Sequence, residues 1–252
     1  MIQFSYLRAQ EKNKKNVMPY RRLPNTDQAR LRAIEAALEK GKRTPTPSLA
    51  FNYQTLERLQ GLYPRLLNSI RQLEIAKQNQ FNKSQEYGEI LRKVKLYLSH
   101  FVQVLTFAVI REELKPEVRE FYGLDPAKSD IPSMKLEEDI LEWGEKIITG
   151  EQKRCQKGGN PIYSPSIALV KVHYDFFNDA YKNQKFLQNM TNKASERMME
   201  IRDETDKLIQ HTWNEIEATF KNQPELEMRE NASSYGVVYV FRPSELKKAE
   251  QN

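Results

Sequence analysis

Apolar residues recur at intervals of three and four along most of the chain, which is the pattern of a helix that buries one face. The repeat has two runs, Leu56, Leu59, Leu66, Ile70 and Leu73, then Val94, Leu98, Leu105 and Val109. The polar residues between the runs are either a loop or an exposed part of one unbroken helix. The preferred interpretation is two antiparallel helices joined near residues 78 to 85. We expect Pro64 to kink or split the first helix, because proline has no amide hydrogen.

Two further helices are predicted from the same periodicity. One follows Pro24, with Asn25 as its N-cap and Gly41 as its stop. The other begins near Ser133 and ends at Gly158-Gly159. Both therefore have conventional signals at each end.

The longest uninterrupted pattern runs from residue 166 to about residue 221 and contains no Pro or Gly. Its apolar spacing is close to a heptad, which is typical of helices that pack along their length. At ~1.5 Å per residue, a single helix of this length would approach ~80 Å. Either the molecule is elongated or the helix bends back near residues 189 to 192, and the pattern does not choose between these alternatives.

The C-terminal part breaks the helical pattern. Residues 224 to 231 predict a short helix, and residues 235 to 241 predict the one convincing β-strand of the chain. A single strand leaves backbone donors and acceptors unpaired, so it needs a partner. The candidates are residues 2 to 7, residues 162 to 164, and the same strand of a second molecule, which would make a homodimer.

The predicted fold is an all-α bundle of about five to six long amphipathic helices with one short C-terminal β-strand. Residues 1 to 24 are interpreted as a flexible basic arm and residues 25 to 222 as the helical bundle, with a candidate division near residues 115 to 133. Residues 223 to 252 form the tail with the short helix and the strand. The 29% charged residues and only 9 glycines favour long helices with solvated outer faces.

The cellular location is inferred from what the sequence lacks. Cys155 is the only cysteine, so no intrachain disulfide forms, and the first residues contain no apolar segment of signal-peptide length. The longest uncharged stretch, residues 96 to 110, is shorter than the ~20 residues that a membrane span requires. We expect a cytoplasmic protein without membrane contact, in which this stretch is a helix buried on most sides.

The net charge of +6 is concentrated near the N-terminus. The first 50 residues carry eleven Lys and Arg against four acidic residues, whereas the remaining residues carry 29 basic and 30 acidic ones. Basic side chains interleaved with an aromatic ring are able to bind nucleic-acid phosphates. The candidate contacts for nucleic acid or another anionic partner are Tyr20, Arg21, Arg22, Arg30, Arg32, Lys42 and Arg43.

A glycine pair before a helix start suggests a second candidate site, for an anion. Free amide hydrogens and the positive end of a helix both favour negative charge. The candidate residues of this anion-binding turn are Gly158, Gly159, Asn160, Ser164 and Ser166. However, the turn lacks the residue order of a P-loop, and no strand precedes it. A helix stop, a turn and a capped new helix explain the same residues.

No recognisable catalytic or metal-binding group is found. His100, His173 and His211 lie on different predicted helices and lack the spacing of zinc or di-metal sites. Cys155 has neighbouring positive charge but no His or acid close in sequence. Acidic pairs such as Glu112-Glu113 are typical of solvated helix faces. The sequence therefore predicts no metal, no cofactor and no enzyme activity.

Three strings resemble a group of uncharacterised helical proteins from anaerobic gut bacteria. The strings are Met18-Pro19-Tyr20-Arg21-Arg22-Leu23-Pro24, Gly158-Gly159-Asn160-Pro161-Ile162-Tyr163 and Tyr235-Gly236-Val237-Val238-Tyr239-Val240. The resemblance covers nearly everything after Met18. It implies no reaction, ligand or partner, so no functional residue is carried over.

The leading hypothesis is a non-catalytic helical-bundle protein that acts through protein-protein interaction, including self-association. The alternative is a nucleic-acid-associated protein that uses the basic region from Tyr20 to Arg43. An enzyme with an unfamiliar site around residues 158 to 166 is a third hypothesis. Salt sensitivity separates the first two, because phosphate contacts weaken steeply with added salt.

Overall fold

The computed structural model describes residues 19 to 242. Most of the predicted N-terminal arm, and the candidate strand at residues 2 to 7, lie outside the described residues. The end of the predicted tail, residues 243 to 252, lies outside them as well. The fold is described below for the residues between these limits.

Helices account for 75% of the structure, which confirms the predicted all-α class. Between residues 19 and 242 the structure contains five α-helices: α1 (Asp27–Arg43), α2 (Tyr53–Ile110), α3 (Glu137–Gln156), α4 (Ile167–Phe220) and α5 (Glu225–Ser233). Short 3₁₀ helices lie at Thr46–Ser48 and Pro116–Tyr122. Two strands of two residues each, β1 (Tyr20–Arg21) and β2 (Tyr239–Val240), complete the fold.

The preferred prediction of a loop near residues 78 to 85 is wrong, because α2 continues without interruption from Tyr53 to Ile110. Residues 77 to 85 contain neither Gly nor Pro, and Gln78 bonds to Asn82 one turn later at 2.8 Å. Their polarity reflects exposure to solvent and not a turn. Pro64 also lies inside α2 and does not split it.

Two further expectations about helix ends are corrected. The N-cap of α1 is Thr26 and not Asn25, since the Thr26 hydroxyl accepts a hydrogen bond from the Ala29 amide at 3.2 Å. The helix also continues past Gly41 to Arg43. A Cβ atom at residue 41 would lie 2.6 Å from Leu56 Cδ1, so this glycine permits close packing and does not end the helix.

The long C-terminal pattern forms one helix, α4, with no reversal near residues 189 to 192. This finding settles the alternatives that periodicity left open. Residues 189 to 192 lie between well-formed turns on both sides, and the Thr191 hydroxyl donates to the Leu187 carbonyl at 3.1 Å. A polar residue in a heptad-like stripe therefore did not break the helix.

The structure divides into two compact units, and the division crosses both long helices. Unit 1 contains the described residues up to Ile75 and those from Lys193 onward, and unit 2 runs from Ala76 to Asn192. The candidate division near residues 115 to 133 lies inside unit 2.

The core of unit 1 is formed by α1, the first part of α2, the last part of α4 and the segment after α5. Its most deeply buried large side chains are Ile34, Leu59, Leu62, Leu66, Trp213 and Ile216. Charged side chains reinforce the contact between α1 and α4. Arg202 donates to Asp27 at 2.6 and 2.8 Å, and Arg30 donates to Asp206 with two bonds of 2.8 Å.

The core of unit 2 is formed by the last part of α2, the 3₁₀ helix Pro116–Tyr122, α3 and the first part of α4. Its fully buried side chains include Val94, Leu98, Phe101, Leu105, Tyr122, Ile140, Ile147 and Phe177. The connector before α3 is held by Arg119, whose guanidinium donates to the Thr106 hydroxyl at 2.7 Å and to the Asp125 carbonyl at 3.0 Å.

The C-terminal strand finds its partner within the chain. β1 and β2 pair in antiparallel register, with Tyr20 opposite Val240 and Arg21 opposite Tyr239, and the Arg22 amide donates to the Val238 carbonyl at 2.8 Å. This partner is none of the three candidates, and Tyr163 forms an isolated bridge with Ser166 instead. The strand is also shorter than predicted. A homodimer through residues 235 to 241 stays a prediction.

One helix in the described part of the chain, α2, is long and apolar enough to cross a membrane by length and composition. Its most apolar 18-residue window is 39% buried, which is less than the burial on most sides that we expected. A core helix of a soluble protein passes the same test.

Candidate functional site

A cavity of about 520 Å³ lies within unit 1, where segments from both ends of the described chain come together. One wall is the connector after β1, another is the start of α1, and a third is the segment that leads from α5 into β2. The lining residues are Arg22, Leu23, Pro24, Asn25, Thr26, Ala29, Arg32, Ala33, Trp213, Ser233, Gly236, Val237, Val238, Tyr239 and Val240. We refer to it as the unit 1 cavity.

Local structure explains why these segments meet. The Arg22 amide continues the β1–β2 pairing, so the connector begins beside Val238. Gly236 follows α5 with a φ of 95°, a left-handed conformation that favours glycine. A Cβ atom at residue 236 would lie 2.7 Å from the Ala36 Cβ, so the C-terminal segment approaches α1 closely only because this residue has no side chain.

Two arginines give the unit 1 cavity its positive charge. Arg22 and Arg32 are both exposed, and both line the cavity. Neither guanidinium has a hydrogen-bond or ion-pair partner among residues 19 to 242. The N-terminal end of α1 lies at the same cavity and adds the partial positive charge of the helix dipole, while its Ala29 amide is already bonded to the Thr26 hydroxyl.

The other walls of the cavity are mainly apolar. Ala29, Ala33, Val237 and Val238 contribute aliphatic surface, and Trp213 lies beneath them in the core with 1% exposure. This composition suits a group that is both anionic and apolar, because guanidinium donors without a partner among residues 19 to 242 lie next to apolar surface that is stabilised by leaving water. It contains no nucleophile paired with a base.

The other predicted contact residues interact with side chains of the same chain. Arg21 donates to Glu217 and Asn214 at 2.8 Å, Arg30 bonds to Asp206 and Asp27, and Arg43 bonds to Glu39 at 2.7 Å. Lys42 lies 4.0 Å from Glu39, and the Arg242 guanidinium lies 5.5 Å from the centre of the Tyr20 ring. Of the seven predicted contacts, only Arg22 and Arg32 line the cavity.

The charges between α1 and α4 stabilise one another. Hydrogen bonds from Arg202 lower the pKa of Asp27, with a further contribution from Arg30, and they outweigh the cost of partial burial. The hydrogen bonds to Asp206 raise the pKa of Arg30. These groups therefore remain charged at neutral pH and hold α1 in place beside the cavity.

The residues of the predicted anion-binding turn lie in unit 2, apart from the unit 1 cavity. The amide of Gly158 donates to Cys155 at 2.9 Å and that of Gly159 donates to Arg154 at 3.1 Å, both through backbone carbonyls. The Arg154 guanidinium donates to the Asn160 carbonyl at 2.7 Å. The Ser166 hydroxyl accepts from the Leu169 amide at 3.4 Å, whereas Ser164 is exposed. The glycine amides therefore bond to the end of α3.

Sequence reasoning missed a buried cluster beside this turn. The Glu151 carboxylate is fully buried and accepts hydrogen bonds from Arg154 at 2.8 Å, from the Ile162 amide at 2.9 Å and from the Tyr122 hydroxyl. Burial opposes ionisation of Glu151, but the bonds from Arg154, Tyr122 and Ile162 outweigh it and lower the pKa. Burial and the Glu151 carboxylate raise the pKa of the Tyr122 hydroxyl.

The cluster is closed by its own hydrogen bonds. Both carboxylate oxygens of Glu151 have donors, and Glu151 does not line the unit 1 cavity. The spacing of Glu151 and Arg154, three residues apart on a helix, was visible in the sequence. Nothing local indicated that both side chains are buried.

His173 and Cys155 are partly buried residues of unit 2. His173 stacks on Tyr97 with ring centres 4.0 Å apart, and burial together with the charge of Lys93 lowers its pKa. Burial raises the pKa of the Cys155 thiol, which keeps it protonated at neutral pH. Within residues 19 to 242, no three His, Cys, Asp or Glu side chains are placed to hold a metal ion.

The unit 1 cavity is thus the best-supported candidate site, and sequence reasoning found only its two arginines. The apolar wall could not be predicted from the sequence, because residues 22 to 33 and 233 to 240 come together only in the folded chain. Comparison with protein-family models, with curated proteins and with solved structures finds no match to this chain.

Proposed function

We propose that this is a non-catalytic binding protein that holds an acidic, partly apolar segment of a protein partner in the unit 1 cavity. The observation that carries the proposal is a pair of guanidinium groups, Arg22 and Arg32, that have no partner within the described part of the chain and lie next to an apolar wall in a cavity of about 520 Å³. An Asp or Glu carboxylate would accept hydrogen bonds from the arginines. A neighbouring aliphatic or aromatic side chain would lie against Val237 and Val238.

The distribution of charge supports a protein partner over nucleic acid. Binding to a nucleic-acid backbone gains strength from several cations that contact successive phosphates. Here Arg21, Arg30 and Arg43 are bonded to acidic side chains of the same chain. Of the seven predicted contacts, Arg22 and Arg32 alone line the cavity, and two guanidinium groups suit one or two carboxylates better than a row of successive phosphates. As part of the same proposal, the binding takes place in the cytoplasm.

Selection from a displayed peptide library against the immobilised chain tests this proposal. We expect the enriched peptides to contain an acidic residue beside an apolar one. We also expect the double variant Arg22→Glu, Arg32→Glu to lose at least tenfold in affinity for them, because two attractive contacts become repulsive.

A matched control separates the cavity from general charge. Arg58 and Arg71 are exposed residues of unit 1 that lie outside the cavity, and Arg58→Glu with Arg71→Glu changes the net charge by the same amount. The control variant should bind the peptides as the original chain does. Equal loss of binding in both double variants, or enriched peptides without acidic residues, would contradict the proposal.

The nucleic-acid alternative has its own signature. Material that copurifies with the protein from its own cells would be removed by nuclease, and its binding would weaken steeply between 50 and 200 mM salt, on the order of a thousandfold for six or more phosphate contacts. A protein partner that remains after nuclease and that requires Arg22 and Arg32 would support the cavity instead.

A further inference from the structure

A second cavity, of about 260 Å³, lies within unit 2 between α2 and α4. The two helices run antiparallel there, because Tyr87 lies near Phe177, with ring centres 6.2 Å apart, and Tyr97 stacks on His173. Residues of both helices line the cavity. We refer to it as the unit 2 cavity.

The helix faces that border the unit 2 cavity are unusually polar. The lining residues recur at intervals of three and four within residues 83 to 90 of α2 and residues 176 to 184 of α4, so one face of each helix borders the cavity. Apolar side chains ordinarily occupy such positions between packed helices. Here three of the lining side chains are charged, namely Lys83, Glu86 and Asp179. The volume is slightly below the ~300–1,000 Å³ of pockets for drug-sized ligands, so the cavity suits a small group.

One buried hydrogen-bond acceptor lies at this cavity without a donor. The side-chain oxygen Oε1 of Gln184 is shielded from solvent and accepts no hydrogen bond from residues 19 to 242. An amide oxygen removed from water without a replacement hydrogen bond destabilises the folded state, so nearly all such atoms in proteins have a partner. Gln184 therefore offers an acceptor to a donor that enters the cavity.

Asp179 supplies a second acceptor, which carries a formal negative charge. Its carboxylate is exposed and has neither a hydrogen-bond nor an ion-pair partner within the described part of the chain. Lys83 and Glu86, by contrast, pair with each other at 2.8 Å. One base and two acids give the lining side chains a net charge of −1, and the unbalanced charge is that of Asp179.

Apolar side chains lie beside these two acceptors. Ile90 and Phe176 line the same cavity, and Phe176 is 61% exposed. Aliphatic surface is stabilised by leaving water, and the face of an aromatic ring attracts a cation within ~6 Å of its centre. An anion would meet the charge of Asp179, whereas the only lysine of the lining is already paired with Glu86. The lining therefore favours a cation with a hydrocarbon part.

We infer that the unit 2 cavity binds a primary alkylammonium group, which is a protonated amine on a short hydrocarbon chain. An ammonium group has three N–H donors and no acceptor, which matches the free oxygens of Asp179 and Gln184. Its hydrocarbon chain would lie against Ile90 and Phe176. A metal ion is a poorer match, since no three His, Cys, Asp or Glu side chains of residues 19 to 242 are placed to hold one.

Titration of the isotope-labelled full chain with 1-aminobutane, followed by NMR of the backbone amides, tests this inference. The amine is protonated at neutral pH, as a lysine side chain is. We expect saturable shifts at residues 83 to 90 and 176 to 184, with a dissociation constant on the order of 1 mM. 1-Butanol, which has the same hydrocarbon chain without the charge, should bind roughly tenfold more weakly or not at all.

Two replacements remove the acceptors one at a time. Asp179→Asn keeps the size of the side chain and removes its charge, so it should weaken the binding of 1-aminobutane by roughly tenfold. Gln184→Leu removes the buried oxygen and should weaken the binding by roughly threefold or more. The spectrum of each variant before titration reports whether the fold is retained.

Asp175→Asn is the matched control. Asp175 lies one turn before Asp179 on α4, is exposed, and does not line the unit 2 cavity, so the same change in net charge leaves the acceptors in place. The control should bind 1-aminobutane as the original chain does. Equal loss of binding in Asp175→Asn and Asp179→Asn, equal binding of 1-butanol, or no saturable shift around the cavity would each overturn the inference.

A further titration distinguishes the two sources of such a group, a free amine and a lysine side chain of a protein. 1,4-Diaminobutane represents the free amine, and Nα-acetyl-lysine amide represents the lysine. Tighter binding of the diamine supports a small-molecule ligand, and tighter binding of the lysine derivative supports a protein. In both cases the ammonium group occupies the cavity. Binding of both compounds that is unchanged by Asp179→Asn would contradict the inference.

Discussion

At the scale of single residues, the Glu151 cluster shows how one buried charge determines the path of the chain. Its carboxylate joins α3, the 3₁₀ helix that contains Tyr122, and the turn that precedes α4. A charge removed from water is tolerated only when hydrogen bonds replace its hydration. Here Tyr122, Arg154 and the Ile162 amide donate hydrogen bonds to the two carboxylate oxygens of Glu151. The cluster therefore ties these three segments of unit 2 together.

The replacement Glu151→Gln tests this role. The amide keeps the size of the side chain but leaves the buried Arg154 guanidinium without its counter-charge, so we expect a loss of about 3–5 kcal/mol in the free energy of unfolding. Urea denaturation monitored by circular dichroism measures the change. Glu145→Gln makes the same chemical change at an exposed position of α3 and should stay within about 0.5 kcal/mol of the original chain. Similar losses in the two variants would contradict the role.

At the scale of elements, α2 contains Pro64, a residue type that destabilises the interior of a helix. Pro64 lies on the exposed side of the helix, so it removes a backbone hydrogen bond without adding apolar contacts to the core. The helix persists because Leu62 and Leu66 on either side are buried in unit 1. Here the stabilisation from burying the neighbouring leucines exceeds the cost of one proline inside the helix.

We expect Pro64→Ala to stabilise the protein by up to about 3 kcal/mol, because alanine restores the amide donor and suits a helix interior. Gly61→Ala is a matched replacement one turn earlier, where a Cβ atom would meet nothing within 4 Å. It should give only about 0.5–1 kcal/mol, since it changes conformational entropy alone. Thermal unfolding of both variants gives the comparison, and a destabilised Pro64→Ala would show that the ring makes a favourable contact.

At the scale of the whole molecule, acid should unfold the protein. Asp27 and Glu151 have pKa values lowered in the folded state, so the unfolded chain binds protons more readily than the folded one. Their contribution to stability is complete above the ordinary values of 3.8 and 4.5, and it is lost as pH falls through the lower folded values. His173, whose pKa is also lowered, adds a loss that starts below its ordinary value of 6.5.

We expect the urea midpoint to fall as pH decreases from 7 to 3, mostly below about pH 4.5, where the carboxylates begin to titrate. Asp27→Asn should be less stable than the original chain at pH 7, and its stability should vary less over the acidic range. A midpoint that stays constant down to pH 3 would contradict the assignment of charge to these two carboxylates.

The sequence predicted the helical class because periodicity of three and four is a local property. It did not predict the continuity of α2, since a polar stretch looks the same in a loop and in an exposed helix. The partner of β2 was missed because β1 has only two residues, and its pairing depends on where α1 and α5 pack. The charge pattern of the sequence pointed to Arg22 and Arg32. Which arginines form ion pairs among the described residues depends on where distant acidic residues such as Asp206 and Glu217 lie after folding, and the sequence does not give those positions.

The pairing of β1 with β2 has a mechanical consequence. Tyr20 and Val240 lie opposite each other at the same end of the ladder, so tension applied to the chain at these two residues would open the backbone bonds one after another. The Arg22–Val238 bond would open last, and the two walls of the unit 1 cavity would then separate. Separation of β1 from β2 would therefore change the shape of the unit 1 cavity, because both strands lead directly into its walls.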